Sequence, residues 1–319
     1  METIELTLKD HSMIRVNCSS ACAYELSERF SFFVPGYKFM QPYKRKVWDG
    51  KIRLFNRMNG EINAGLFYKI KDFAGQRGYG IKLKRSEYGL PNEKNEVSHL
   101  NMLKWIATVG APFLPRDYQY DAITHAIEHK RALLISPTGS GKSFIIYLIL
   151  RWFMNISSEK ILVVVPTTGL VEQMYKDFED YGFDSEKNCH KIYSGKDKET
   201  DKQVIVSTWQ SINKLPNVWF EKFGCVFGDE CHGFKAKSLS SIMNKAINAE
   251  YRFGTTGTLD GTQTNEMVLE GLFGPVERVT TTKELQDEET LAKLNINVLL
   301  LEYSEEIRKS FENKTYQEE

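Results

Sequence analysis

The sequence predicts an α/β chain whose main part is a parallel, doubly wound sheet, preceded by a small basic α+β unit. Three observations predict this. From about residue 110 onward, short β-rich apolar runs (132–136, 161–165, 204–207, 225–227 and 251–255) alternate with helical patterns, the texture of strands joined by crossover helices. A Gly-rich turn, residues 136–143, sits between one such strand and a helix over 144–153. Charge is uneven although the net charge is zero: residues 1–100 hold 17 Lys+Arg against 11 Asp+Glu, leaving 25 against 31 for the remainder. The excess is sharpest over 37–85, with 13 basic and 3 acidic residues, a pattern that points to an anionic partner.

A chain of 319 residues suits two domains, because single cores rarely grow past about 250–300 residues. Hydrophobic content of 41% with 26% charged residues is globular composition. The longest apolar runs, 161–165 and 298–301, are far too short to span a bilayer. The acidic start Met1-Glu2-Thr3-Ile4-Glu5 lacks a signal-peptide pattern. Five cysteines (18, 22, 189, 225, 231) include no CxxC pair, which argues against a disulfide framework and a structural zinc site, and for a reducing cytoplasm.

In chain order, residues 4–8 and 13–16 read as strands around a Lys9-Asp10-His11-Ser12 turn. Ser19 or Ser20 caps a helix running towards Phe33, with Ala23, Leu26, Phe30 and Phe33 at helical spacing. Strands are expected at 51–55 and 80–84, with a helix over 66–73 between them. The polar stretch 86–100 is broken by Gly and Pro and marks the linker. The expected boundaries are thus an α+β domain over 1–90, a linker and connecting helix over 91–110, the α/β lobe over 111–300, and a lead-in to a further lobe over 301–319.

The run Ser136-Pro137-Thr138-Gly139-Ser140-Gly141-Lys142-Ser143 has the chemistry of a phosphate cradle. Glycines let backbone N–H groups curl inward, the helix N-terminus adds partial positive charge, and Lys142 reaches the β/γ-phosphates of ATP while Ser143 offers a hydroxyl to Mg²⁺. The general pattern wants Gly at 136; here it is Ser136. Further on, Asp229-Glu230-Cys231-His232 follows the apolar strand 225–227. Asp229 is expected to hold Mg²⁺, directly or through water, and Glu230 to orient and deprotonate the attacking water. Alone, such an acidic pair is usually a solvated strand end; behind a phosphate loop it becomes a second half-site. His232 either links the nucleotide site to Thr256 or fills the loop.

The order of these motifs resembles the superfamily 2 DExH/DECH helicases. Arg116-Asp117-Tyr118-Gln119 looks like their adenine-reading element, 165–173 resembles motif Ia, Ser207-Thr208-Trp209-Gln210-Ser211 the T-x-Q-S element, and Thr255-Thr256-Gly257-Thr258 motif III. The resemblance implies a RecA-like lobe with ATP and Mg²⁺ as cofactors, Arg116 and Gln119 at the base, and coupling through His232, Thr256 and Thr258. It also implies backbone contacts to one nucleic-acid strand from Pro166, Thr167, Thr208 and Gln210, although Thr167 or Thr168 serves equally as a helix cap. The stretch Tyr43-Lys44-Arg45-Lys46-Val47-Trp48-Asp49-Gly50 is similar to the N-terminal domain of T4-type phage recombination and repair helicases. That similarity implies branched or forked DNA, or RNA–DNA hybrids, as substrate for a monomeric ATP hydrolase in the host cytoplasm.

Within 37–57, cations interleave with aromatic residues. Cations there favour phosphates, with Lys44, Arg45 and Lys46 the expected contacts, and aromatic faces can stack on unpaired bases; the other reading is a charged, solvated β-ribbon with its aromatics in the core, Trp48 and Phe55 first among them. No Q-x-x-G-R-x-x-R element follows the T-G-T motif, so the chain reads as a first lobe with an accessory domain, deficient in unwinding by itself. Two other readings stay open: a duplex translocase of the restriction type, and a non-catalytic nucleic-acid-binding module.

Overall fold

The apolar runs become strands because nearly every residue in them is buried on both sides, the signature of a parallel sheet covered by helices on both faces. The structure is a computed structural model describing residues 2–233, 236–259, 263–292, 297–300, 302–305 and 307–308. Its contacts divide the chain into two units, Met1–Thr282 and Lys283–Glu319. The lead-in to a further lobe expected over 301–319 lies largely outside the described residues.

The first unit opens with strands β1 (Thr3–Leu8) and β2 (Met13–Asn17), helix α1 (Ser20–Arg29), and a ribbon of β3 (Ser31–Phe33) and β4 (Lys51–Arg53) carrying the short helix α2 (Gln41–Lys44) in its arm. Strand β5 (Glu61–Asn63), helix α3 (Phe67–Arg77) and strand β6 (Gly80–Lys84) follow. The small sheet has order β5-β2-β1-β6, antiparallel except for the β1–β6 pair. Of the two candidate caps, Ser19 accepts from the Cys22 N–H. Helix α1 stops at Arg29 and does not reach Phe33 as expected. Phe32 is buried while Phe33 is 49% exposed, and that alternation belongs to a strand pairing with β4.

After α4 (His99–Val109) and α5 (Asp117–His129), the main sheet is built from β7 (Arg131–Ile135), α6 (Lys142–Ile156), β8 (Lys160–Val165), α7 (Thr168–Asp180), α8 (Ser185–Asn188), β9 (Cys189–Ile192) and β10 (Val204–Thr208). Then come α9 (Trp209–Ile212), α10 (Asn217–Phe220), β11 (Phe223–Gly228), α11 (Ala236–Lys245), β12 (Tyr251–Thr256), α12 (Gln263–Phe273), β13 (Val276–Arg278) and α13 (Thr282–Asp287). All seven strands are parallel in the order β13-β7-β12-β11-β8-β10-β9. Alternate residues serve opposite faces: Val163, Val206 and Phe227 pack with α5, α6 and α7, whereas Leu162, Ile205 and Val226 pack with α11 and α12. The phosphate loop, the acidic box and the elements at 165–173, 207–211 and 255–258 each leave the carboxyl end of one strand, the rim where such sheets bind ligands.

The small sheet is joined to this lobe through its β1–β2 turn. The His11 N–H donates to Ile247 O at 3.0 Å, and Ser12 Oγ donates to Met243 O at 3.1 Å. Arg252, only 1% exposed, donates Nη2 to Ser12 Oγ at 2.6 Å, Nη1 to Met243 O and Nε to Ala249 O, both at 2.8 Å, and also reaches Ala246 O. A buried guanidinium is tolerated there because its donors meet acceptors all round.

Candidate active site

The Gly-rich turn follows β7 directly. Gly139 and Gly141 both have positive φ, 85° and 79°, which L side chains adopt only with strain. At Gly141 space is also closed, since a Cβ there would lie 2.4 Å from Gln119 Nε2. Ser136, fully buried, hydrogen-bonds Ser140 Oγ through its own hydroxyl at 2.6 Å. Here Ser136, where the general motif carries Gly, braces the loop, and Ser140 in turn donates to Pro137 O at 2.7 Å. Thr138 is exposed at the crest.

Arg116 and Gln119 stand at the start of α5. Gln119 is buried; its Oε1 accepts from the Arg116 N–H at 3.0 Å and its Nε2 donates to Ser140 O at 2.8 Å. Tyr118 Oη donates to the same carbonyl at 3.1 Å. The element therefore stitches the phosphate loop to α5, a role that its sequence resemblance did not reveal.

Lys142 meets the acidic box directly. Its Nζ lies 3.0 Å from Glu230 Oε1 and donates to Ser136 O at 3.2 Å. Glu230 has φ of 47°, a left-handed residue that turns the chain sharply after β11. Such strained backbone is costly and concentrates where a site over-determines it. Asp229, one residue earlier, is buried, and its Oδ1 accepts from Thr255 Oγ1 at 2.6 Å. Burial pushes the Asp229 carboxyl above its ordinary range; the Thr255 bond pulls it down, Glu230 pushes it up, and the Lys142 charge pulls it down. A desolvated carboxylate of this kind gains from a cation beside it.

His232 sits in the 3₁₀ turn Cys231–Gly233, with Nδ1 2.6 Å from Thr256 Oγ1 and 3.4 Å from Glu230 Oε2. Thr256 Oγ1 gives its one hydrogen to Thr258 O at 2.7 Å. It can therefore only accept from the imidazole, which places the proton on Nδ1. A continuous chain of contacts thus runs Lys142–Glu230–His232–Thr256–Thr258. Sequence reasoning missed Thr255 as a partner of Asp229, although the T-T-G-T run contained it.

Ser143 is held by Tyr181 and Asp177. Its Oγ is 2.8 Å from Tyr181 Oη, and burial raises the neighbouring Asp177 carboxyl despite a hydrogen bond from Ser143. Neither Tyr181 nor Asp177 belongs to any motif recognisable in sequence. The oxygen donors Asp229 and Ser143 fit Mg²⁺ in kind, since this ion takes one or two protein oxygens and completes its shell with phosphates and water. Among the described residues no group of three or more His, Cys, Asp or Glu side chains is arranged to hold a metal ion, and no helix is long and apolar enough to cross a membrane.

The expected strand-contact residues differ among themselves. Thr167 is exposed and caps α7, accepting from Leu170 N–H at 3.3 Å. Gln210 is exposed, with Nε2 donating to Pro166 O at 3.3 Å, which joins those two elements into one surface. Thr208 is buried, with its hydroxyl 2.9 Å from Ser211 Oγ; it supports the surface from beneath because it ends a strand interior to the sheet. Lys44, Arg45 and Lys46 are exposed on the β3–β4 arm. Phe55 is core, whereas Trp48 is only half-buried, its Nε1 donating to Lys51 O at 2.8 Å.

Comparison with known proteins follows this division of the chain. A family model described as "DNA helicase UvsW, N-terminal" matches residues 3–84, and one described as "Type III restriction enzyme, res subunit" matches residues 112–261. The ATP-dependent DNA helicase uvsW of Enterobacteria phage T4 is 35% identical over 327 residues, covering 99% of this chain and 64% of that protein. The chain therefore spans somewhat under two thirds of that relative. The DNA 3'-5' translocase XPB2 of Sulfurisphaera tokodaii is 27% identical over 197 residues, covering 62% of this chain and 42% of that protein. The crystal structure of the UvsW helicase from bacteriophage T4 superposes with a TM-score of 0.80 at 34% identity, covering 86% of this chain and 99% of that one. With a seven-stranded RecA-like lobe, a matching N-terminal unit and that identity across nearly all of a solved relative, the chain belongs to the UvsW family of superfamily 2 helicases.

Proposed function

We propose that this chain carries the ATP-binding half of a DNA motor: it binds ATP–Mg²⁺ on the phosphate loop and DNA on the adjoining rim. The observation that carries the reading is the 3.0 Å approach of Lys142 to Glu230, beside the desolvated Asp229, at one rim of the sheet. In this reading Gly139, Ser140, Gly141 and Lys142 hold the phosphates, with Thr138 at the loop crest. Asp229 and Ser143 hold Mg²⁺, the latter after leaving Tyr181. Glu230 positions and deprotonates the attacking water once a γ-phosphate takes Lys142 away from it. When bound, Mg²⁺ neutralises charge developing on the transferred phosphoryl group. Arg116 and Gln119 face the base, and the His232–Thr256–Thr258 chain links the nucleotide to the neighbouring strand ends.

Pro166, Thr167 and Gln210 hold the sugar–phosphate backbone of one strand, and Lys44, Arg45 and Lys46 contact phosphates of the same substrate, branched or forked DNA. The span present here binds both ligands but hydrolyses ATP slowly and does not separate strands by itself. Binding of fluorescent ATP and of forked DNA by this chain, followed by its ATPase rate with and without DNA, tests the reading. Absence of either binding sinks the motor assignment, and a robust DNA-stimulated rate sinks the claim of deficiency. A second reading, a duplex translocase, is favoured by the restriction-subunit family match and the relative named a translocase. In the whole protein, displacement of a triplex-forming strand without strand separation would select it.

A further inference from the structure

The β3–β4 arm holds an open groove of about 550 Å³ between Tyr43 and Trp48, lined also by Lys38, Lys44, Lys46 and Val47, a volume within the range of small-ligand sites. Its aromatic wall is built, not incidental. Tyr37 stacks on Phe33 at 4.7 Å and meets Tyr43 edge-on at 4.8 Å. Gly50, with φ of 85°, lies so close that a Cβ would fall 2.2 Å from the Tyr37 ring. Trp48 is fixed from the other side by its hydrogen bond to Lys51 O at 2.8 Å. Lys51 and Arg53, at the base of the arm, are paired with Glu28. Among the described residues Lys38, Lys44, Arg45 and Lys46 form no ion pair, and all four are exposed. Phe39 and Val47 beside them are 80% and 76% exposed, an apolar surface that phosphate contacts alone do not call for.

Resting on the reading of the chain as a DNA motor, we propose that this groove takes an unpaired base of a single strand, stacked against Tyr43 and Trp48, with Lys38, Lys44 and Lys46 on its flanking phosphates. A paired base in a duplex keeps its faces covered by its neighbours and cannot enter. The arm therefore selects single-stranded segments at a junction over continuous duplex. Stacking is insensitive to salt, whereas each phosphate contact releases counterions, and this separates the two parts of the proposal.

The test titrates the full chain with a mixed-sequence single strand and with the blunt duplex formed from it and its complement, at several salt concentrations. W48A and Y43A each weaken single-strand binding about tenfold, leave the salt slope unchanged, and change duplex binding little. W48F restores most of the loss, which separates stacking from any loss of folding. K44Q/K46Q lowers the single-strand salt slope by about 1.4, at about 0.7 per contact. If K44Q/K46Q weakens both substrates while W48A and Y43A change neither, the arm binds phosphate only and the base-stacking proposal is overturned with the motor reading intact. If no arm variant alters binding although wild-type chain binds DNA, the arm is not part of the DNA surface at all.

Discussion

Replacing Thr255 by Val keeps the shape of β12 and removes one hydroxyl, the donor to Asp229 Oδ1 at 2.6 Å. Asp229 is 6% exposed, and burial already holds its carboxyl above the ordinary range, with the Thr255 bond the largest influence in the other direction. A hydrogen bond to a charged acceptor is worth about 1.5–3 kcal/mol. Its loss favours the protonated form by that amount and raises the Asp229 pKa further. Protons and Mg²⁺ compete for the same oxygens, so below that pKa metal affinity falls as the carboxylate is protonated. The assay is Mg²⁺-dependent binding of a fluorescent ATP analogue measured across pH for wild type and T255V. The midpoint of the pH dependence is expected to move up in T255V, with metal-free nucleotide binding little changed. A midpoint identical in the two proteins, with the variant folded, would refute the claim that Thr255 maintains Asp229 as a metal-binding carboxylate.

Arg252→Met fills the same space but leaves the carbonyls of Met243, Ala246 and Ala249 without their donor; it should cost about 3–5 kcal/mol, or about 6–10 °C in Tm. Ser12→Ala, which removes one of the guanidinium's partners, should cost about 1 kcal/mol in urea unfolding, and equal losses for the two variants would contradict the assigned bonding. His11, depressed to about 3 first by burial and then by Arg131, Arg252 and Lys130, stays neutral in the fold while the unfolded chain takes up a proton below about 6.5. Its contribution must therefore weaken the fold as pH falls from about 6.5 to about 3. His11→Gln should flatten that part of the stability curve, and parallel curves for the two proteins would reject it.

How far the sequence could be read follows from how each element is stabilised. The five interior strands of the lobe were legible within a residue or two because burial on both faces keeps most of each run apolar, with polar residues such as Arg252 and Thr208 near the strand ends. Strands β9 and β13 escaped notice because they edge the sheet: Cys189–Ile192 buries only its ends, and Val276–Arg278 is only partly covered. Strand β5 was hidden by Glu61, a buried carboxylate paired with Lys9 and Arg15, which no apolar pattern announces. Phe30 and Phe33 shared a helical spacing by coincidence. The phosphate loop and acidic box were visible because their chemistry demands particular residue types at fixed spacing. Tyr181 and Asp177 beside Ser143, and Thr255 beside Asp229, were not, since tertiary packing alone brings them there.

The most direct measurement is a double-mutant cycle between Lys142→Ala and Asp229→Asn, reading ATP affinity with and without Mg²⁺. If both groups grip one metal–triphosphate, D229N abolishes the Mg²⁺ enhancement, and the two losses fail to add by at least about 0.5 kcal/mol. Losses that add within about 0.3 kcal/mol, with the Mg²⁺ enhancement intact in D229N, would show that the loop and the carboxylate do not share a ligand.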